Sequence, residues 1–328
     1  MKAAVLSRYG PPDVVQIRDV EKPVPQDNQV LIKVRAASVN PLDWSGMRGE
    51  PYIARLMGGL RRPKDPRLGA DVAGEVEAVG KNVAHFKPGD EVFGTCRGAF
   101  AEYACASELP TFRSVLALKP ANVTFEQAAA VPVAGLTALQ GLRDKGRIQP
   151  GQKVLINGAA GGVGTFAVQI GKSFGAEVTG VCSTRNVNLV RSLGADRVID
   201  YTQEDFTKSG QRYDLLLDCV GNHPLFACKR VLNPKGICVV VGAPHGGWLR
   251  PLDRLLKALM WNWFGGNFVA FIAKCSKADL TTLGELIEAG KATPAIDKCY
   301  RLSEVCEAIR YQEEGHARGK VVITVSEP

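Results

Sequence analysis

The segment KVLIN-GAAGGVG, residues 153–164, constrains this chain more than any other. KVLIN is apolar over strand length. Glycines recur at Gly158, Gly161 and Gly164, and a helical stretch runs from Gly164 to Phe174, ended by Gly175. A strand turning tightly into a helix, with further strands behind it, is the opening unit of a doubly wound parallel sheet. Backbone N–H groups and the helix dipole at such a turn favour a pyrophosphate. Gly161 lets the backbone approach the phosphates, and Gly164 lets the helix pack close to the strand. A strict GxGxxG would carry glycine at 159; the chain has Ala159, and the variant spacing still permits the turn.

The remainder reads consistently with an α/β fold. EVTGVC, RVIDY, YDLLLDCV and ICVVVGA are apolar runs suited to strands buried on both faces, with VNLVRSLG as a helix between the first two. Upstream, QVLIKVRAASVN, DVAGEVEAVG and AFAEYACAS predict a β-rich region punctuated by turns such as KPGD at 87–90. ANVTFEQAAAVPVAGLTALQGLRD predicts a helix capped at Thr124, with Glu126 two residues on. Helices are expected at about 278–290 and 303–314, then a final strand KVVITV. So short a tail cannot make its own core, and is expected to fold back onto the N-terminal part. The expected division is 1–122, 123–275 and 276–328, with the middle part a Rossmann domain.

The second strand of the sheet selects the cofactor. A strand serving NAD usually ends in Asp or Glu, which binds the ribose 2′-OH. EVTGVC ends instead in Ser183-Thr184-Arg185-Asn186. A hydroxyl and a guanidinium welcome a 2′-phosphate that an acid would repel, so NADPH is expected. Arg185 also reads as a solvated residue at a helix start.

Composition removes other classes. A net charge of +8 permits attraction to anionic ligands or an anionic membrane surface. There is no zinc-knuckle spacing and no basic helix interleaved with aromatics, so nucleic acid is not an expected partner. The densest basic stretch, Arg55, Arg61, Arg62, Lys64 and Arg67, reads as a solvated loop. The nine cysteines show no CxxC pair and read as reduced thiols. The opening MKAAVLSRYG carries no apolar signal segment, and no stretch is long and apolar enough to span a membrane. A cytoplasmic protein is expected, with peripheral membrane contact left open. ALMWNWFGGNFVAFIA, residues 258–273, reads as a dimer or core segment, or as a wall of an apolar pocket.

GAAGGVG, the upstream AAAVPVAGLTAL, the early RAASVNPLDW and the terminal GHARGKVVI occur in an order that resembles the zinc-free, quinone oxidoreductase-like branch of the medium-chain dehydrogenase/reductases. The resemblance covers the whole chain. It implies a GroES-like, β-rich catalytic domain, built from both ends of the chain, beside the Rossmann domain. It implies NADPH-driven reduction of quinones or α,β-unsaturated carbonyls. Residue by residue, it puts Thr137, Gly161, Gly162 and Val163 along the cofactor phosphates, and Ser183, Arg185 and Tyr201 around the 2′-phosphate and adenine. Val220, Gly242 and Ala243 would flank the ribose and nicotinamide, and Gly319 and Lys320 would close over the cofactor.

The zinc-dependent branch of the same superfamily holds a Cys, a His-Glu pair and a further Cys where this chain has Asn40, Ala70-Asp71 and Val133. None of these offers the thiolate and imidazole that zinc favours, so no metal is expected. Without one, the Asn40 amide is the candidate donor to an oxyanion developing on the substrate. Asn40 also reads as a turn residue before Pro41. Asp43 is a candidate catalytic group or a cap for the segment before Trp44. Tyr52 is a candidate proton donor or a packing residue. The main expectation is therefore an NADPH-dependent reductase of apolar carbonyls or quinones. The rival is an NADPH-binding interaction or RNA-binding protein with little catalysis. The apolar strand expected at 267–273 suggests a homodimer paired edge to edge through the Rossmann domain, because an exposed apolar edge invites pairing.

Overall fold

The computed structural model describes residues 1–241 and 267–325. The chain forms fifteen strands among these residues: β1 (Lys2–Leu6), β2 (Val15–Asp19), β3 (Gln29–Val39), β4 (Asp71–Val79), β5 (Glu91–Thr95), β6 (Tyr103–Ser107), β7 (Val115–Leu118), β8 (Lys153–Asn157), β9 (Glu177–Cys182), β10 (Arg197–Asp200), β11 (Tyr213–Asp218), β12 (Leu232–Val240), β13 (Phe268–Ala270), β14 (Ile296–Arg301) and β15 (Lys320–Thr324). They divide between two compact units. One holds Met1–Leu136, Lys274–Gly290 and Pro294 onward; the other holds Thr137–Ala273 and Lys291–Thr293. The helix Pro132–Gln140 spans the division.

The β-rich unit is built on a seven-stranded sheet in the order β14-β15-β3-β4-β5-β7, with β6 also paired to β3. β15 runs antiparallel to β3. The tail thus completes the N-terminal sheet, as its shortage of core-forming residues required. Alternating apolar residues of these strands, with Trp44, Met47 and Phe100, make one buried cluster, and Val305, Ala308 and Ile309 of the helix Val305–Glu313 pack into it. The 121–144 segment, expected as one helix, is broken into Phe125–Ala129 and Pro132–Gln140, the second running on into a π-helical turn, Gly141–Lys145. Proline at the start of the second lacks the N–H that a continuing helix needs, so the break falls there. Thr124 does cap the first, accepting from Gln127 N at 3.3 Å, and its reciprocal partner is Gln127 rather than Glu126.

The second unit carries a fully parallel six-stranded sheet ordered β10-β9-β8-β11-β12-β13. Numbered within the sheet this is 3-2-1-4-5-6, the doubly wound order of dinucleotide-binding domains. Val154, Leu155 and Ile156 of β8 are fully buried, as a central parallel strand demands. Strand order reverses at β8 and β11, which opens a crevice at their C-terminal ends. β13 is shorter than the strand expected at 267–273. It ends at Ala270, and Ile272 is 79% exposed.

Candidate active site

The turn after β8 is the ligand-facing feature of the parallel unit. Gly158 takes a left-handed φ of +85°, and a Cβ there would lie 2.6 Å from Val220 Cγ2. A Cβ on Gly164 would lie 2.1 Å from Gly158 O, so only glycine lets the helix Gly162–Ser173 close on the turn. Gly161 differs: its Cβ would find nothing nearer than Gly158 O at 3.5 Å, which leaves room in front of the backbone. N–H groups of Gly162 and Val163, in the first helical turn, have no acceptor within the helix. They face a half-exposed turn at the sheet's switch point. A pyrophosphate fits a cradle of this kind.

Ser183 and Arg185 follow β9 in a short 3-10 turn, Thr184–Asn186, and Arg185 is exposed. Asn186 Nδ2 donates to Ser183 Oγ at 3.2 Å, which leaves the Ser183 hydroxyl proton to donate elsewhere. Sequence reasoning missed an acid nearby. Asp200, opposite Cys182 in register on β10, accepts from Thr184 Oγ1 at 2.6 Å and from Thr202 Oγ1 at 2.8 Å. Those bonds, Thr184's foremost, hold its carboxyl below the ordinary range. Tyr201 follows it, 54% exposed, and Val220 stands 42% exposed beyond β11. Thr137 is buried in the helix Pro132–Gln140. Gly242 and Ala243, and the apolar stretch up to 266, lie outside the described residues.

A second missed group joins the two central strands. Asn157 at the end of β8 donates to Asp218 Oδ1 at 2.9 Å, and Gly221 N donates to the same oxygen at 2.9 Å. Asp218 thus fixes the loop that carries Val220. Such a polar pair at the end of apolar strands leaves no periodic signature.

In the β-rich unit the structure brings Asn40, Asp43 and Lys320 together and adds Asp71. Asn40 is the N-cap of the helix Pro41–Arg48. Lys320 Nζ donates to Asn40 Oδ1 at 2.6 Å, to Asp71 Oδ2 at 3.3 Å and to Val39 O at 3.4 Å. Asp71 also accepts from Ser38 Oγ at 2.7 Å, Asn40 Nδ2 at 2.9 Å and Val133 N at 3.0 Å. Lys320 is 3% exposed and Asp71 fully buried. Two expectations change here. Asn40 does not have an amide free for a substrate oxyanion, because Nδ2 donates to Asp71 and to Ser38 O at 3.2 Å. Lys320 does not extend its ammonium toward a ligand, because its three donors meet three acceptors inside this unit. Gly319, beside Ala295, leads into β15.

Asp43 does act as a cap, since its Oδ2 accepts from Asn40 N at 2.8 Å. Burial pushes its carboxyl up to about 7, against the lowering effect of the Asn40 N–H; Asp71 raises it further and Lys320 lowers it. Tyr52 belongs to a separate 3-10 turn, Tyr52–Ala54, with the Arg55 guanidinium 4.6 Å from its ring.

Residues 26–140 match the family described as alcohol dehydrogenase GroES-like domain, and residues 193–323 match the one described as zinc-binding dehydrogenase. The chain is 35% identical to the mitochondrial NAD(P)H oxidoreductase RTN4IP1 of Mus musculus, over 99% of this chain and 89% of that protein. The chain belongs to the quinone oxidoreductase-like branch of the medium-chain dehydrogenase/reductases. It is also 35% identical to the chloroplastic NADPH-dependent alkenal/one oxidoreductase of Arabidopsis thaliana, over 98% of this chain and 79% of that one. The structure superposes on the quinone oxidoreductase of Coxiella burnetii with a TM-score of 0.87, at 32% identity and 99% coverage of both chains. Within this branch, the positions that match zinc ligands elsewhere converge here too: Asn40, Asp71 and Val133 share hydrogen bonds. The positive charge among them is the Lys320 ammonium. No three His, Cys, Asp or Glu residues cluster as metal ligands among the described residues.

Proposed function

We propose that this chain is a zinc-independent reductase that uses NADPH to transfer a hydride to quinones or to α,β-unsaturated carbonyls. The observation that carries the reading is the glycine turn at the switch point of a 3-2-1-4-5-6 sheet, with Ser183 and Arg185 ending the neighbouring strand. NADPH, when bound, supplies the hydride. First-turn N–H groups at Gly162 and Val163 would hold the pyrophosphate, with Thr137 as a further phosphate contact. Arg185 and Ser183 would hold the 2′-phosphate, with Tyr201 near the adenine. Val220 would flank the ribose and nicotinamide. Names carried by relatives, a quinone oxidoreductase and an alkenal/one oxidoreductase, support the two acceptor classes.

Reduction of either acceptor consumes one hydride and one proton. Asp43 suits the proton's source. Its Oδ2 accepts from Asn40 N, and a carboxyl pushed up to about 7 can hold and release a proton near neutrality. Tyr52 is the alternative donor. Lys320 supplies a fixed positive charge beside Asn40 and Asp71, which tunes Asp43. A homodimer belongs to the same reading. β13 ends the parallel sheet, and among the described residues no strand pairs with its outer edge.

Equilibrium binding of NADPH and NADH to the wild type and to Arg185→Ala tests the cofactor assignment. The variant should lose about tenfold to a hundredfold for NADPH, the worth of one charge-assisted hydrogen bond, and little for NADH. Equal losses for both would remove Arg185 from the 2′-phosphate.

A further inference from the structure

Arg67, Arg97 and Arg113 line a groove of about 410 Å3 in the β-rich unit, and the groove shares no residue with the Asn40–Lys320 cluster. Their charges are not balanced. Arg67 grips Asp65 with two bonds of 2.8 Å, and Arg97 Nη1 reaches the same carboxylate at 3.0 Å. Arg67 first, then Arg97, holds the Asp65 carboxyl well below the usual carboxylate range. One carboxylate between two guanidinium groups leaves a positive charge over, and Arg113 adds another. Arg113 forms no ion pair among the described residues; its side chain lies 6.0 Å from the Phe112 ring. Burial, and then the charge of Arg97, pushes its guanidinium below its ordinary value.

The remaining lining is rich in donors. Ser114 Oγ accepts from Ser107 N at 2.9 Å, and Thr111 Oγ1 accepts from Arg113 N at 3.4 Å. Each hydroxyl therefore keeps its proton for another acceptor. The Gln29 amide oxygen, a candidate acceptor, is taken by Gln26 N at 3.0 Å. Uncompensated planar guanidinium groups beside free hydroxyl donors are the chemistry of an oxyanion receptor. Inorganic phosphate would fill only part of the groove, whose volume falls in the range of roughly 300–1,000 Å3 typical of small-ligand sites.

We propose that this groove binds a phosphomonoester carried on a small soluble molecule, its phosphoryl oxygens held by Arg97, Arg113 and the hydroxyls of Ser107, Thr111 and Ser114. The site is independent of the reductase reading and of its cofactor. Titration calorimetry on the full chain at constant ionic strength tests it, with glucose 6-phosphate as the probe and glucose as the control. Glucose 6-phosphate should bind and glucose should not. Arg97→Gln with Arg113→Gln should weaken the probe by about tenfold or more, while Arg185→Gln should leave it unchanged. Both arginines are exposed, so the double variant keeps its fold. Unaltered affinity in the double variant overturns the proposal, as does loss in Arg185→Gln, which would move the phosphate to the glycine-turn unit. Cosedimentation with phosphatidic acid vesicles, without binding of the soluble probe, would assign the phosphate to lipid and overturn it equally.

Discussion

Replacing Lys320 with methionine removes the one cation bonded to Asp71 among the described residues while nearly keeping the volume of the side chain. Asp71 would stay fully buried, still accepting from Ser38 Oγ, Asn40 Nδ2 and Val133 N. Asn40 Oδ1 would lose its 2.6 Å donor. Breaking a buried ion pair from one side costs about 3–5 kcal/mol. Three surviving donors on Asp71 put this case at the low end, about 3 kcal/mol. Urea denaturation followed by circular dichroism reads the loss as a lower midpoint at constant m. A second readout is independent of stability. Lys320 lowers the Asp43 carboxyl, so its removal should raise the Asp43 titration, followed by carboxyl-selective NMR, above its value of about 7. A loss under about 1 kcal/mol, the level of a solvated pair, or an Asp43 titration that stays put, would refute the cluster as a desolvated electrostatic unit.

Asp43 makes stability fall with pH. Its folded value is raised from 3.8 to about 7, so between these the folded chain binds more protons than the unfolded one. Stability is lost as pH climbs through that window and is level above it. Asp43→Asn should grow more stable relative to the wild type from pH 4 to pH 7, and a pH-independent difference in unfolding free energy would count against the assignment. For the homodimer, multi-angle light scattering should give twice the 35.2 kDa chain mass for the wild type, and a single chain mass for Ala270→Asp on β13. A wild type that stays at one chain mass over a range of concentrations sinks the dimer.

What could be read along the chain was whatever has a local physical cause. The glycine turn, the buried strands after it and the Thr124 cap are written in contiguous residues, because strand burial, tight turns and capping act within a few positions. What escaped depends on pairing at a distance. Lys320 meets Asp71 across 249 positions, and no periodicity links them. Nor does anything in the sequence alone show that both N–H groups of Asn40 are taken by Asp71 and Ser38. The reading that no acid follows the end of β9 holds for residues 183–186, but register with β10 brings Asp200 opposite Cys182. Asn157 and Asp218 look like ordinary strand ends until the sheet order makes them neighbours at the switch point.

The central claim is hydride transfer from NADPH without a metal. It is tested most directly by following NADPH absorbance with a quinone and with an alkyl vinyl ketone, using chelator-dialysed protein whose zinc content is measured on the same sample. The account predicts that NADPH is consumed with at least one of these acceptors by protein lacking stoichiometric zinc. One zinc per chain whose removal abolishes turnover would contradict it, and so would tight NADPH binding with no consumption by either acceptor.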